Sequence, residues 1–236
     1  MIELKNIFFS YGSNRVFEDF SLSVSRGGIT CLLGSSGCGK TTVLRLIAGL
    51  ETPERGAVAL NGKTLSEDGK VLVPSQYRNV GFIFQDLALW PHFTVFKNIA
   101  FGLQERKSPK VKEQVHDILN HFGIDDLAGK YPHQLSGGQK QLVAIARSLV
   151  LKPEVLLMDE PLSNLDVQLK KKILEHIKKL KTDFNVTIVY VTHDHREAFA
   201  IADEVVVLNS GAIEDSGSVE EIKRSENRYL KRFLEY

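Results

Sequence analysis

Cysteine, methionine and tryptophan are scarce in this chain: two, two and one among 236 residues. Cys31 and Cys38 are too few for the disulfide framework that staples small secreted domains, and neither stands at metal-ligand spacing from a histidine. An excess of one charge is also missing. Thirty Lys and Arg oppose 29 Asp and Glu for a formal net charge of +1, which argues against a surface built for non-specific nucleic-acid binding. Long hydrophobic runs are absent too: Val155 to Met158 and Val205 to Leu208 are strand-sized and far short of a membrane span, so no crossing of a bilayer is expected. The start MIELKNIFF sets charges too close to its apolar residues for a secretory signal, so a cytosolic protein is expected. No internal repeat or low-complexity segment is visible.

What is present is ordinary globular material, 43% hydrophobic and 25% charged, in a chain long enough to bury a substantial core. Ile2 to Phe9 and Val16 to Val24 alternate as strands around a turn at Tyr11-Gly12-Ser13-Asn14, and read as an antiparallel sheet beside the main one. Ile29 to Leu33 is a short apolar strand, followed by a helix from Lys40 to Leu50. Asn61 to Tyr77 is a turn-rich hairpin excursion, and Val80 to Phe84 a further strand ending at Gln85. From Asp86 to Val150 helical periodicity takes over, with a stripe at Val111, Val115, Ile118, Leu119 and Phe122 and a helix from Gln139 to Val150. After Pro153, strands at Val155 to Met158, Thr187 to Val191 and Val205 to Leu208 alternate with helices at Asp166 to Thr182 and Arg196 to Ala202. That alternation predicts a mostly parallel sheet with helices on its faces. The lysines from Lys170 to Lys172, with Lys178, Lys179 and Lys181, alternate with Leu169, Ile173, Ile177 and Leu180 as the solvated face of an amphipathic helix.

Three runs carry chemistry. GSSGCGKTT, Gly34 to Thr42, fits GxxxxGK[ST] at a strand-to-helix junction. Its glycines let consecutive backbone N–H groups converge on phosphate oxygens, Lys40 supplies a counter-charge, and the Thr41 hydroxyl is a ligand for Mg²⁺. VLLMDE, Val155 to Glu160, is a buried strand delivering carboxylates to the same ion, with Asp159 as its holder. Between them LSGGQ, Leu135 to Gln139, is superfluous to that site. Its Ser and two Gly residues opening a helix make a second phosphate-binding N-terminus, useful only toward a nucleotide held elsewhere.

The ordered set Tyr11, GSSGCGKTT, Gln85, LSGGQ, VLLMDE, SNLD (Ser163 to Asp166) and His193 resembles the nucleotide-binding subunit of ABC transporters, from about Ile2 to Ile222. The resemblance implies an α/β fold: a P-loop NTPase core on a mostly parallel sheet, an N-terminal antiparallel β-subdomain and an inserted helical subdomain at 86–152, all within one ATPase domain spanning 1–236. It implies ATP and Mg²⁺ as cofactors. Gly34, Ser35, Ser36, Gly37, Cys38, Gly39, Lys40, Thr41 and Thr42 would cradle the nucleotide, with Tyr11 stacking on adenine. Thr41, Gln85 and Asp159 would hold the metal, Glu160 would polarise the attacking water, and His193 would hydrogen-bond the γ-phosphate. Ser136, Gly137, Gly138 and Gln139 would complete the site of a second copy in a head-to-tail dimer, joined by the loop ending at Asp166. In the family the segment Asp86 to Asn98 contacts an integral membrane permease. Here the same Leu87, Leu89, Trp90 and Phe93 would serve equally to pack the subdomain. An extracytoplasmic solute-binding protein completes the expected partners, and the chain would sit peripherally on the inner face of the membrane.

FQDLALWPHFTVFKNIAFGL and VTHDHREAFAIADEVVVLNSGAIEDSG are similar to bacterial importers for iron, polyamines or oxyanions. The C-terminal regulatory β-domain that many such subunits carry is expected to be absent from a chain stopping at Tyr236. Leu142, His195 and Ser218-Val219 depart from residues common in the family, Arg, Gln and a nearby Pro respectively. A soluble ABC-type ATPase acting on nucleic acid predicts a coiled-coil insertion, a tandem domain or a basic face, none of which the sequence has. A nucleotide-dependent binding switch is opposed by the intact Glu160 and His193. Cys38, in the phosphate loop, is expected to be open to solvent and to thiol reagents.

Overall fold

The computed structural model describes residues 1–163 and 165–234. Asn164, within SNLD, lies outside them. Two sheets share the fold. The first opens with β1 (Ile2–Tyr11) and β2 (Asn14–Val24), an antiparallel hairpin in which Leu4 opposes Leu22 and Tyr11 opposes Asn14. Ile2 and Leu4, then Ile7 and Phe9, turn inward; the register shifts between Leu4 and Ile7, where a bulge resets the period-2 alternation. After β3 (Ile29–Gly34) and α1 (Lys40–Ala48), the chain returns through β4 (Arg55–Leu60), β5 (Lys63–Glu67) and β6 (Lys70–Val71), giving a first sheet in the order β2-β1-β4-β5-β6. The hairpin excursion is therefore part of this sheet, joined to β1 through β4.

The second sheet takes β3, β7 (Val80–Ile83), β8 (Val155–Asp159), β9 (Thr187–Thr192), β10 (Glu204–Asn209) and β11 (Ala212–Gly217). Its order is β11-β10-β3-β9-β8-β7, and every neighbouring pair is parallel except β10 with β11. Strands β3, β8 and β9 are buried at each residue, as central parallel strands covered on both faces must be. Their carboxyl ends lie at one edge of the sheet, with Leu33 opposite Thr192 and Asp159 opposite Val191. That edge is where open α/β sheets bind ligands.

The helices are α2 (Val95–Glu105), α3 (Val111–His121), α4 (Gly137–Leu149), α5 (Val167–Asp183), α6 (His195–Ile201), α7 (Val219–Arg224) and α8 (Arg228–Leu234). Helix α1 stops at Ala48 because Gly49 adopts a left-handed cap whose N–H reaches the carbonyls of Arg45 and Leu46,. Helix α5 starts one residue later than the sequence suggests because Asp166 is its N-cap, accepting the Leu169 N–H at 3.0 Å,. The predicted stripe on α3 is realised, with Val115, Ile118 and Leu119 buried. Strands β4 and β11 and helices α7 and α8 were not anticipated.

The core divides across the second sheet. Cys31, Leu33, Leu156, Met158, Ile188 and Tyr190 face a helical cluster that includes residues of α2, α3 and α4. Leu32, Leu157, Val189, Val191 and Val206 face α1 and the first sheet. One large charged side chain is sealed in the second layer. Arg78, 2% exposed, donates from Nη1 to the Leu46 and Ile47 carbonyls at the end of α1, from Nε to Val73 and from Nη2 to Leu65. Its cation thereby complements the negative end of the helix that begins at the phosphate loop.

Candidate functional site

The loop from Gly34 to Gly39 links the end of β3 to α1. A Cβ on Gly34 would lie 2.3 Å from the Leu208 carbonyl and 2.8 Å from Cys38 Sγ, so no side chain fits there. Gly39 caps α1 at φ 109, a backbone few other residues adopt, and a Cβ on it would meet the Phe17 ring at 2.7 Å. These contacts press the loop onto β2 and β10 while Ser35, Ser36 and Gly37 stay exposed. Lys40 is 5% exposed, with Nζ donating to the Gly34 and Ser35 carbonyls at 2.8 Å each. Its ammonium therefore lies under the loop, within the concavity that the backbone amides would form for an anion. Thr42 is buried beside it.

Cys38 corrects an expectation. It is 3% exposed and belongs to the core against the first sheet, with Sγ 3.8 Å from Lys40 Nζ. The thiol points inward because the space beneath the side-chain-free Gly34 receives it. Cys31 is fully buried as predicted, and burial, with the charges of Glu197 and Asp203, pushes its thiol pKa far up.

At the next strands the carboxylates arrive. Thr41 Oγ1 donates to Asp159 Oδ1 at 2.8 Å. Asp159 is 7% exposed, and its pKa is raised by burial, against the Thr41 hydrogen bond that lowers it; Glu160 raises it further, while Arg45 and Lys40 lower it. A desolvated carboxylate beside a hydroxyl is a donor set that suits a hard cation such as Mg²⁺. Glu160 has φ 42, a conformation rare for a residue with a side chain, and its N–H is held by the Val191 carbonyl at 3.1 Å. The strain turns its carboxylate toward the end of β9, where His193 Nδ1 lies 3.1 Å from Glu160 Oε2. Thr41, Asp159, Glu160 and His193 are thus brought together. Gln85 is exposed just beyond β7, the neighbour of β8. Tyr11 ends β1, 41% exposed, its ring edge-on to Phe9 at 4.9 Å.

LSGGQ opens α4. Ser136 is its N-cap: Oγ accepts the Gln139 N–H at 3.3 Å, and Gln139 Oε1 accepts the Ser136 N–H at 3.0 Å, a capping box. With Oγ already accepting, the exposed hydroxyl keeps its own hydrogen to donate. The two glycines receive the segment after Glu160: Cβ atoms on Gly137 and Gly138 would fall 2.9 Å from Leu165 and 2.8 Å from Leu169. LSGGQ is therefore packed against the start of α5, next to its cap Asp166. Its serine faces outward, and no LSGGQ residue hydrogen-bonds to the phosphate loop.

The segment after Gln85 is held by residues the sequence did not single out. Leu87 and Ala88 both have positive φ, 62 and 43, and Arg147 near the end of α4 donates to both carbonyls, at 2.8 and 2.6 Å. Asn98, fully buried, accepts the Trp90 N–H and donates to the carbonyls of Trp90, Phe93 and Thr94. Leu87 and Leu89 pack onto the helical core. Trp90 instead lies between Arg147 and Phe101, 5.0 and 4.7 Å away, and lines an open groove of about 240 Å³ with Val80, Phe82 and Leu151. The only sequence signal for Arg147 and Asn98 is a polar residue inside an apolar helical run. Among the described residues, no helix is long and apolar enough to cross a membrane.

Comparison with known proteins agrees with this geometry. The family model described as ABC transporter matches residues 17–163. The spermidine/putrescine import ATP-binding protein PotA of Haemophilus influenzae is 43% identical over 237 residues, covering 99% of this chain, which spans 62% of that relative. The sulfate/thiosulfate import ATP-binding protein CysA of Pseudomonas aeruginosa is 44% identical, covering 94% of this chain and 68% of its own length. The Fe(3+) ions import ATP-binding protein FbpC of Vibrio cholerae is 42% identical over 99% of this chain and 66% of its own. Among solved structures, the dimeric post-hydrolysis state of the ATP-binding cassette MJ0796 bound to ADP and Pi superposes with a TM-score of 0.80 at 29% identity, over 93% of this chain and 99% of that one. With the phosphate loop, LSGGQ and the Asp159-Glu160 pair each set on the element the pattern requires, the chain belongs to the ABC transporter family.

Proposed function

We propose that this chain is an ATP-binding and ATP-hydrolysing motor subunit that powers solute import through a separate membrane permease. The observation that carries the reading is the contact of Glu160 with His193, 3.1 Å apart, next to the Thr41–Asp159 pair at 2.8 Å. A hydrolytic site needs a carboxylate beside the metal position but not consumed by it. The backbone amides from Ser35 to Thr42 and Lys40 bind the phosphates, and Tyr11 stacks on adenine. Thr41, Asp159 and Gln85 would hold Mg²⁺, which when bound would neutralise phosphate charge. Glu160 accepts a proton from the attacking water, and His193 bonds the γ-phosphate and keeps Glu160 oriented.

The outward serine of LSGGQ supports a composite site. Two copies meet head to tail, each offering Ser136, Gly137, Gly138 and the α4 N-terminus to nucleotide on the other, while the loop at Asp166 lies between them. ATP joins the copies, and its hydrolysis loosens them. The helical subdomain at 86–152 carries the permease contact: Arg147 ties the strained Leu87–Ala88 backbone to the same helix that begins with LSGGQ, and the Trp90 groove is its apolar seat. The assembly sits on the cytoplasmic face, with a solute-binding protein outside; PotA, CysA and FbpC are importer subunits by name, which favours import.

Mixing two inactive variants tests the composite site. Lys40→Ala and Ser136→Arg chains, combined, form heterodimers with one doubly damaged and one intact site, so phosphate release should rise above that of either variant alone. Heterodimers that form without recovering activity would reject the head-to-tail arrangement.

A further inference from the structure

Glu197, on α6, is 4% exposed and four residues from His193, yet the hydrolytic scheme above gives it no task. Its carboxylate is fully engaged. Oε2 accepts from Tyr190 Oη and from Thr192 Oγ1, both at 2.9 Å, and Oε1 accepts from Lys170 Nζ at 2.7 Å. Thr192 Oγ1 in turn accepts the Asp194 N–H at 3.0 Å. The hydroxyl before His193 and the amide after it are therefore joined in one chain of hydrogen bonds ending on Glu197. Tyr190 is fully buried and its phenol pKa is held well above the ordinary value, by burial and then by Glu197, so it remains a donor. Lys170 comes from the first turn of α5, beside Leu169, which packs on Gly138.

Because Thr192 has one hydrogen, donated to Glu197, its lone pairs face the Asp194 amide. Removing either partner breaks this link across the turn that carries His193. A misplacement of about 1 Å at such a site costs on the order of a hundredfold in rate. We propose that Glu197 is a positioning residue for hydrolysis: through Thr192 it fixes the turn that presents His193 to Glu160, while Lys170 offsets its buried charge. The proposal rests on the motor reading and adds to it a residue that touches neither nucleotide nor metal.

The test compares Thr192→Val, which keeps shape and removes the hydroxyl, with Thr192→Ser, which keeps the hydroxyl. Steady-state phosphate release, fluorescent ATP-analogue binding and thermal melting are measured on the same preparations. Thr192→Val should lose about ten- to a hundredfold in kcat, with KM for Mg·ATP and analogue affinity changed less than about twofold, and Thr192→Ser should recover most of the rate. Glu197→Gln offers the same logic independently. Its amide nitrogen must face either the Lys170 ammonium, which cannot accept, or the two hydroxyls, which would have to turn and accept instead of donating, so kcat should fall,. Adding Lys170→Met removes the opposing donor and should restore much of it, with the amide oxygen in the place of Oε2. A double Thr192→Val, Glu197→Gln variant should be no slower than its slower parent, because both act through one linkage. Wild-type kcat in Thr192→Val, equal losses in the Val and Ser variants, or losses that follow melting temperature and affinity would overturn the proposal. Should Thr192→Val fail to fold, the rescue of Glu197→Gln by Lys170→Met decides. A wild-type chain without turnover would sink the motor reading itself, whereas an active wild type with an unaffected Thr192→Val sinks only the role of Glu197.

Discussion

Replacing Arg78 with Met isolates what one sealed guanidinium contributes to the frame behind the phosphate loop. Its four N–H···O=C bonds run to Leu46, Ile47, Leu65 and Val73, and they are not equivalent. The Leu46 carbonyl also accepts the Gly49 N–H, and the Leu65 carbonyl accepts the N–H groups of Leu72 and Val73. Ile47 and Val73 depend on Arg78. Two buried carbonyls left without donors cost about 1–3 kcal/mol each. Met fills most of the volume, and deleting the cation returns the desolvation cost that burial imposes, visible as the lowered Arg78 pKa. The balance is a loss of about 2–4 kcal/mol. With a urea dependence of about 2–3 kcal/mol per molar, the unfolding midpoint should fall by about 1 M, while ATPase per folded molecule without urea stays close to wild type. Arg78→Lys should fall between, since a single ammonium cannot span the carbonyls. A midpoint shift below about 0.2 M for Arg78→Met would show that the carbonyls find other donors and refute the assignment.

Asp159→Asn should raise the melting temperature of the nucleotide-free chain at neutral pH and abolish the further rise given by Mg·ATP. Burial raises the Asp159 pKa in the fold, so its ionised form destabilises above that pKa, and the advantage of Asn should shrink as acid protonates the wild-type carboxyl. An Asn variant melting below wild type at neutral pH would contradict this. Cys31 and Cys38 are 0% and 3% exposed, so maleimide should modify neither at the rate of an open thiol, as mass spectrometry can follow. Rapid labelling of Cys38 would mean that the phosphate loop opens further than its packing on Leu208 and Phe17 implies.

Much of this site is legible in sequence because phosphate chemistry demands residues at fixed spacing: GxxxxGK[ST] between a strand and a helix, and carboxylates at the end of an apolar strand. Central strands β3, β8 and β9 are legible for a related reason, since burial on both faces leaves unbroken apolar runs. Strand β11, AIEDSG, is an edge strand whose polar residues hide its pairing with β10. Arg78 and Arg147 leave no trace of their partners, which are backbone carbonyls that every residue carries. The Glu197 cluster is assembled from positions 170, 190, 192 and 197 by the packing of α5 and α6 on β9, a proximity that spacing does not encode. The sequence puts Cys38 in the phosphate loop but not its inward direction, which is set by the approach of Gly34 to Leu208, on a strand far along the chain.

Glu160→Gln gives the most direct test of hydrolysis at a composite site. Glu160 reaches His193 from a strained backbone but is not bonded to Thr41, so the amide should leave binding intact while removing the proton acceptor. Sedimentation of this variant with Mg·ATP, followed by nucleotide extraction, should yield a dimer holding uncleaved ATP, with turnover reduced by at least about a hundredfold. A variant that stays monomeric with ATP bound, or that releases phosphate near the wild-type rate, would contradict the account.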